Sequence, residues 1–411
     1  MSSMDCSSRN KSIIQLLLLL FLSGFSSCIN IGDPNNARCK EMERKALLKF
    51  KEGIKDHTGR LSSWTTTGEE EEEEEDCCRW RGVRCSTRTG HVVHLNLRNP
   101  IQLPQYDDDD HEDIEAFKRS RLSGEIYPSW LNLKYLKYMD LSLNQFRGIK
   151  IPEFLGSFKK LRYLNLSHSF FAGTVPPHLG NLSTLHHLDL SSSSLDYYSF
   201  SEDPSWLMRV DNLEWISGLS SLEYLNMGYV NLSNAADDWF QAFNKLSLLR
   251  ELKLSDCELG RLPSSSETLP SSITVNFTSL SVLDLSWNFF NNSFLPHWLL
   301  NISSLEDLDL SYNELILNFS YSNNNIISSI HSGAGGGDAA SSRTTAAGRA
   351  QQQLVGSLWK LRRLDLSYNN GGGGGDDVGA LVDGLSGFSN KSLEILVLSY
   401  SELSGHLPIS I

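Results

Sequence analysis

A leucine–any–leucine step recurs along this chain, and no other feature restricts the fold as strongly. In the stretch Ser304-Leu-Glu-Asp-Leu-Asp-Leu-Ser-Tyr-Asn-Glu-Leu315, the apolar residues Leu305, Leu308 and Leu310 follow neither helical spacing nor sustained alternation. The word returns as Met139-Asp-Leu141, Leu164-Asn-Leu166, Leu188-Asp-Leu190, Leu283-Asp-Leu285 and Leu364-Asp-Leu366. One short unit returning at a steady period marks a solenoid, in which each unit buries its apolar side only against its neighbours. Taking the first apolar residue of each step as an anchor gives Leu95, Met139, Leu164, Leu188, Leu225, Leu252, Leu283, Leu308, Leu364 and Leu396. The intervals are 44, 25, 24, 37, 27, 31, 25, 56 and 32 residues, so a basic period of 24–25 carries insertions in most units.

Each unit is expected to lay one short strand beside the next, giving a parallel sheet with the alternating leucines turned inward. Five residues after the anchor stand Asn144, Cys257, Asn288, Asn313 and Asn369, with Ser169, Ser193, Val230, Ser401 and Pro100 in the other units. A buried Asn at that point can satisfy backbone groups of adjacent turns. Cys257 fits the same small buried position and reads as a free core thiol, not a nucleophile. Several units continue as Leu122-Ser-Gly-Glu-Ile126, Phe171-Ala-Gly-Thr-Val-Pro176 and Leu403-Ser-Gly-His-Leu-Pro408, where glycine permits a tight turn and proline an extended path.

The inserted segments, placed at 101–120, 318–356 and 370–377, read as low-complexity excursions, and the latter two have too little apolar content to pack alone. Gly371–Gly375 lacks the Lys-Ser/Thr pair of a phosphate-binding loop. The formal charge is −13, from 36 basic and 49 acidic residues. The runs Glu69–Asp76 and Asp107–Asp110 account for twelve of the acidic residues, and the longer run reads as a solvated loop. The chain has no basic stripe to neutralise phosphates, which argues against a nucleic-acid partner.

Arg9 and Lys11 precede the apolar run Ile13–Phe25, and Ser26, Ser27 and Cys28 follow, the pattern of a secretory signal peptide over residues 1–28. Thirteen mostly apolar residues are short for a bilayer span. Residues 29–90 form a first module, in which Ala46, Leu47, Phe50 and Ile54 share a helical face and Trp64 and Trp80 are available to cover a core. Residues 91–411 carry about ten repeats. Cys39, Cys77, Cys78 and Cys85 precede the repeats; secretion favours disulfides, four cysteines allow three pairings, and the adjacent pair suits a zinc ion poorly. His186 with His187, and His91 with His94, lack a third ligand, so no metal or cofactor is expected and no catalytic constellation stands out.

Cys39-x(7)-Leu47-Leu48-x-Phe50-Lys51, Leu61-Ser-Ser-Trp64, Cys77-Cys78-x-Trp80-x-Gly82-Val83-x-Cys85 and the following repeats resemble the plant extracellular leucine-rich-repeat receptor-like proteins. The resemblance covers residues 39–411. It implies an α/β leucine-rich-repeat solenoid: a curved parallel sheet on the concave side, turns and 3-10 segments on the convex side, and a cap stapled by Cys39–Cys77 and Cys78–Cys85. It further implies a non-enzymatic receptor at the cell surface, sensing a peptide or microbial molecule in defence or development and signalling through a co-receptor or adaptor kinase. Two alternatives stand beside it. One is a secreted inhibitor of cell-wall-degrading enzymes, similar to the plant polygalacturonase inhibitors; the other is a truncated fragment, since the chain stops inside a repeat after Leu407-Pro408 without a C-terminal cysteine cap or membrane helix.

Binding is expected on the concave face. His168, Tyr229, Trp287, Tyr312, Tyr368 and Tyr400 follow the Leu-x-Leu-Ser word and are expected to form one aromatic column across adjacent strands. A parallel column, Asp140, Asp189, Asp284, Asp309 and Asp365, reads as structural or solvated. Eight sequons follow the signal segment, at Asn165, Asn181, Asn231, Asn276, Asn291, Asn301, Asn318 and Asn390; they are glycosylation candidates, and a glycan on Asn165 would block part of the binding face.

Overall fold

The structure of the protein, a computed structural model, describes residues 37–65, 76–102, 111–192, 208–262, 275–291, 298–299, 302–316, 360–369, 392–401 and 403. The leader, most of the Glu69–Asp76 run, the 318–356 and 370–377 insertions, Ser193 and the Leu407-Pro408 end lie outside the described residues.

In chain order the elements are helix α1 (Glu41–Glu52), strands β1 (Ile54–Lys55), β2 (Val83–Cys85) and β3 (Val92–Asn96), helix α2 (His111–Ser120), and strands β4 (Ser123–Gly124), β5 (Tyr138–Asp140), β6 (Tyr163–Asn165), β7 (Gly173–Thr174), β8 (His187–Asp189), β9 (Met208–Arg209) and β10 (Tyr224–Asn226). Helix α3 (Trp239–Phe243) follows, then β11 (Glu251–Lys253), β12 (Val282–Asp284), β13 (Asp307–Asp309), β14 (Arg363–Asp365) and β15 (Ile395–Val397). Eleven strands form one sheet in the order β2-β3-β5-β6-β8-β10-β11-β12-β13-β14-β15. Every pair is parallel except the β2–β3 hairpin of the cap.

The ten anchors fall in a single row. Leu95 pairs with Met139, and the line continues through Leu164, Leu188, Leu225, Leu252, Leu283, Leu308 and Leu364 to Leu396 without a slip. Register holds because shifting a strand by one residue would carry its leucines to the open face. Register is kept even across the 56-residue interval between Leu308 and Leu364, which pair directly. On the opposite side the chain runs through short 3-10 turns at Pro128–Asn132, Glu153–Ser157, Pro177–Asn181 and Glu214–Gly218. These turns approach closely: a Cβ on Gly156 would run into the His178 carbonyl. The Ser-Gly and Gly-Thr words at 123–124 and 173–174 form two small accessory pairings, β4 with β1 and β7 with β9.

The expected Asn ladder is present, and its chemistry explains its substitutions. Asn313 donates from Nδ2 to the carbonyls of Leu285 (2.9 Å), Leu310 (3.0 Å) and Ser311 (3.1 Å) and accepts from the Asn288 amide at 2.8 Å. Asn144, Asn288 and Asn369 likewise donate to the previous turn's leucine carbonyl. Ser169 and Ser401 donate to the equivalent carbonyls, Leu141 and Leu366, each at 2.7 Å. Cys257 reaches the Met227 carbonyl through its thiol, is fully buried and unbonded to another cysteine, and burial pushes its pKa well up. The first turn is irregular because Pro100 has no amide to give to Asn144. The buried Arg60 of the cap supplies that donor, bonding Asn144 Oδ1 (2.8 Å) as well as the Ser120 and Arg98 carbonyls. Burial lowers its pKa to about 10, so it stays charged at neutral pH.

The cap is one core with the repeats. Ala46, Leu47 and Phe50 of α1 are buried, with acidic residues in its first turn and basic ones in its last, complementing the helix dipole. Phe50 lies 4.4 Å from the Trp130 ring in the first 3-10 turn, and Trp64 stacks on Trp80 at 5.6 Å. Cys39–Cys77 and Cys78–Cys85 are both bonded, with Cα separations of 5.5 and 5.3 Å. The four sulfurs lie close together, but as disulfides they have no thiolate to offer zinc.

Two expectations need correction. Residues 111–120 are the helix α2 and not part of a low-complexity excursion: Phe117 is buried, and Ser120 and Asn99 lock the helix end to the first repeat at 2.8 Å. Asp76, at the end of the acidic run, is structural and not merely solvated. It accepts from the Cys39 and Cys78 amides and caps the Cys77–Arg79 turn.

Candidate recognition face

Residues flanking each anchor point away from the core. One position before the anchor, the row reads His94, Tyr138, Tyr163, His187, Tyr224, Glu251, Val282, Asp307, Arg363 and Ile395. Its first five members stack face to face, at 4.1 Å for His94–Tyr138, 4.2 Å for Tyr138–Tyr163, 4.2 Å for Tyr163–His187 and 4.0 Å for His187–Tyr224. Lys253 sits 5.2 Å from the Tyr224 ring and ends the stack. Burial raises the pKa of Tyr138, Tyr163 and Tyr224 and lowers that of His94 and His187, so the stack stays neutral near pH 7. This column was not among the expected site residues. Its signal was available: it appears when the residue before each anchor is read down the repeats.

The row after the anchor holds the Asp column, and its role is structural. Asp140, Asp189, Asp284, Asp309 and Asp365 each accept, through Oδ1, the amide and hydroxyl of the serine two residues on, at 2.6–3.1 Å. Asn165 does the same for Ser167. These bonds turn the chain out of the strand.

The six expected aromatic residues lie just past that turn, so they are not in the strands. Simple alternation would send the fourth residue after the anchor into the core. Instead this position takes a left-handed conformation: φ is 52° at His168, 65° at Tyr229, 58° at Trp287, 56° at Tyr312, 52° at Tyr368 and 53° at Tyr400. The flip carries the side chain onto the rim of the open face. A bulky residue there costs about 1–2 kcal/mol. Two interactions offset it: Trp287, Tyr312 and Tyr368 each donate their amide to the serine carbonyl of the next repeat, at 2.8–3.0 Å, and the rings stack. Centroids are 3.9 Å apart for Trp287–Tyr312, 4.0 Å for Tyr312–Tyr368 and 4.6 Å for Tyr368–Tyr400. Hydrogen bonding to Tyr368 pushes the Tyr312 hydroxyl up to about 12. The expected column of six is therefore a column of four. His168 and Tyr229 are set apart because Ser192 and Asp256 occupy the intervening positions.

The sequons differ in their surroundings. Asn181, Asn276 and Asn291 are exposed. Asn231 is half-buried and donates to Glu258 at 2.7 Å. Asn165 is 5% exposed, with Nδ2 directed to the Tyr163 hydroxyl, so a glycan there would have to break the packed turn. Asn301, Asn318 and Asn390 lie outside the described residues.

A leucine rich repeat N-terminal domain matches residues 40–86, and a leucine rich repeat matches residues 160–182. Receptor-like protein EIX1 of Solanum lycopersicum is 38% identical over 304 residues, covering 74% of this chain and 27% of that protein. Receptor-like protein EIX2 of the same plant is 36% identical over 394 residues, covering 95% of this chain and 34% of the relative. This chain belongs to the plant leucine-rich-repeat receptor-like proteins. Receptor-like protein 6 of Arabidopsis thaliana also matches, at 29% identity over 71% of this chain. The chain spans about a third or less of the length of these relatives. The crystal structure of PEPR1-AtPEP1 superposes with a TM-score of 0.52 at 21% identity, covering 89% of this chain and 42% of that one, and so shares the fold. Among the described residues no helix is long and apolar enough to cross a membrane.

Proposed function

We propose that this chain is the extracellular ligand-recognition part of a receptor-like protein. In this reading it acts at the cell surface, binds a peptide or protein elicitor in plant defence or development, and relays binding through a co-receptor or adaptor kinase. The observation that carries the reading is the rim column. Trp287 and Tyr368 remain 41% and 40% exposed although each ring is stacked on Tyr312. Exposed, rigidly held aromatic rings are the usual anchors of protein interfaces. The kinship with EIX1 and EIX2, both receptor-like proteins, supports the same reading over a secreted enzyme inhibitor.

A displayed random-peptide library selected against the secreted chain tests it. Selected peptides should lose roughly tenfold or more in affinity for the W287A/Y312A double variant, the loss expected for two interface anchors. Equal binding to a folded double variant would sink the assignment of the rim column.

A further inference from the structure

We infer that the rim column takes a basic, extended polypeptide segment, laid across strands β11 to β14. The inference rests on the reading of this face as the ligand surface and specifies the ligand's chemistry. The two halves of the face differ. Over β3 to β10 the ten open positions are five neutral rings packed into the closed stack described above, three amides and two carboxylates, Asp140 and Asp189. Over β11 to β14 they are Glu251, Lys253, Val282, Asp284, Asp307, Asp309, Arg363 and Asp365, five carboxylates against two cations. Beside this acidic half stand Trp287, Tyr312 and Tyr368, with Phe289 another 48% exposed ring two residues from Trp287. Tyr312 and Tyr368 have a ring stacked on each face, whereas Trp287 has Tyr312 on one side only, and an electron-rich ring face beside surplus carboxylate suits guanidinium and ammonium groups, which gain from both.

The molecule already shows how such a group is held. Arg363 reaches Asp307 at 3.2 Å, Asp309 at 3.5 Å and Asp365 at 2.9 Å, and its side chain stays one-third exposed. The surrounding carboxylates raise the Arg363 pKa against the opposing effect of burial. An incoming arginine would repeat this arrangement one strand along, at Asp284 and Asp309. The Asp284 carboxyl is held above its ordinary range by burial, with repulsion from Asp309 adding to it. A partner cation would relieve that repulsion. Elsewhere in the same solenoid, cations already sit over rings, Lys160 over Tyr135 at 4.0 Å and Lys253 over Tyr224 at 5.2 Å.

The probes are three synthetic peptides: alternating arginine–serine, its citrulline–serine isostere and its glutamate–serine counterpart. Binding to the full chain is measured at about 50 mM and about 300 mM salt, which shortens the screening length by about 2.4-fold. The arginine peptide should bind at least tenfold more tightly than the other two and weaken markedly at the higher salt. D307N, which leaves every serine turn intact, should weaken it severalfold. R363A, which frees three carboxylates, should tighten it; should R363A not fold, D307N alone decides. Equal binding of the arginine and glutamate peptides, or D307N without effect, overturns the charge assignment. Library peptides that depend on Trp287 and Tyr312 yet carry no basic residues would also overturn it, while leaving the rim column standing as the ligand surface.

Discussion

Replacing Asn313 by Ala tests the ladder that holds neighbouring repeats together. The change removes three donor bonds, to the carbonyls of Leu285, Leu310 and Ser311, and one acceptor, for the Asn288 amide. The carbonyls keep other donors: Leu285 has Asn288 Nδ2, Leu310 has Asn369 Nδ2, and Ser311 has the Trp287 amide. Their losses are therefore small, about 0.5 kcal/mol each. The Asn288 amide, fully buried, is left without its acceptor and costs about 1–3 kcal/mol. The expected total is about 2–5 kcal/mol, concentrated in the adjoining repeats because a solenoid couples nearest neighbours. Asn313→Ser should cost only about 1 kcal/mol. The natural Ser169 shows why: its hydroxyl donates to Leu141 at 2.7 Å and accepts from the Asn144 amide at 3.3 Å, filling both roles. Thermal unfolding gives the global loss, and hydrogen exchange over residues 282–316 shows where it falls. A serine variant as damaged as the alanine variant, or an alanine variant within 0.5 kcal/mol of the parent (a loss about as small as a single weakened bond), would refute the reasoning.

Other outcomes follow from the same structure. Arg60→Leu should loosen the cap from the first repeat at a cost of about 2–4 kcal/mol, seen as faster proteolysis near Ser120; unchanged protection would count against its bridging role. Trp64→Ala removes a buried ring stacked on Trp80 and should cost about 3–5 kcal/mol in chemical denaturation. Burial lowers the His187 pKa, so the unfolded chain binds its proton more readily and stability falls as pH drops through about 6.5. His187→Phe should narrow the Tm difference between neutral and acid buffer, and an unchanged difference would assign the pH dependence to other groups. Removing the Cys78–Cys85 bridge as a double serine variant should cost about 2–5 kcal/mol, read as lower secretion and Tm.

Leucine spacing was enough to place the ten anchor-bearing strands of the main sheet, because a residue two positions from another shares its face and a slipped strand would expose its core. The Asn ladder was legible for the same reason, including the thiol at Cys257. The rim aromatics were found by position but given the wrong local geometry. Alternation predicts a strand residue, whereas the Asp–Ser bonds and inter-repeat amides impose a left-handed turn that no periodicity reveals. Helix α2 escaped notice because the acidic run before it set the apparent composition. Yet Glu112 and Asp113 at its start and Lys118 and Arg119 at its end match the helix dipole. The role of Arg60 could not be read locally at all: it arises from the missing amide of Pro100, forty residues away in the chain.

The unbroken anchor row turns the open face into a ruler. Its graduations are strands about 4.8 Å apart, and an extended polypeptide crossing them advances about 3.3 Å per residue. Three residues of the crossing chain therefore span about two graduations, as on a vernier, so contacts come back into step only at every third ligand residue. The 56 residues between Leu308 and Leu364 add length to the chain and nothing to this scale. What the face reads can thus change by substitution at fixed marks, while insertions of any length leave the graduations where they were.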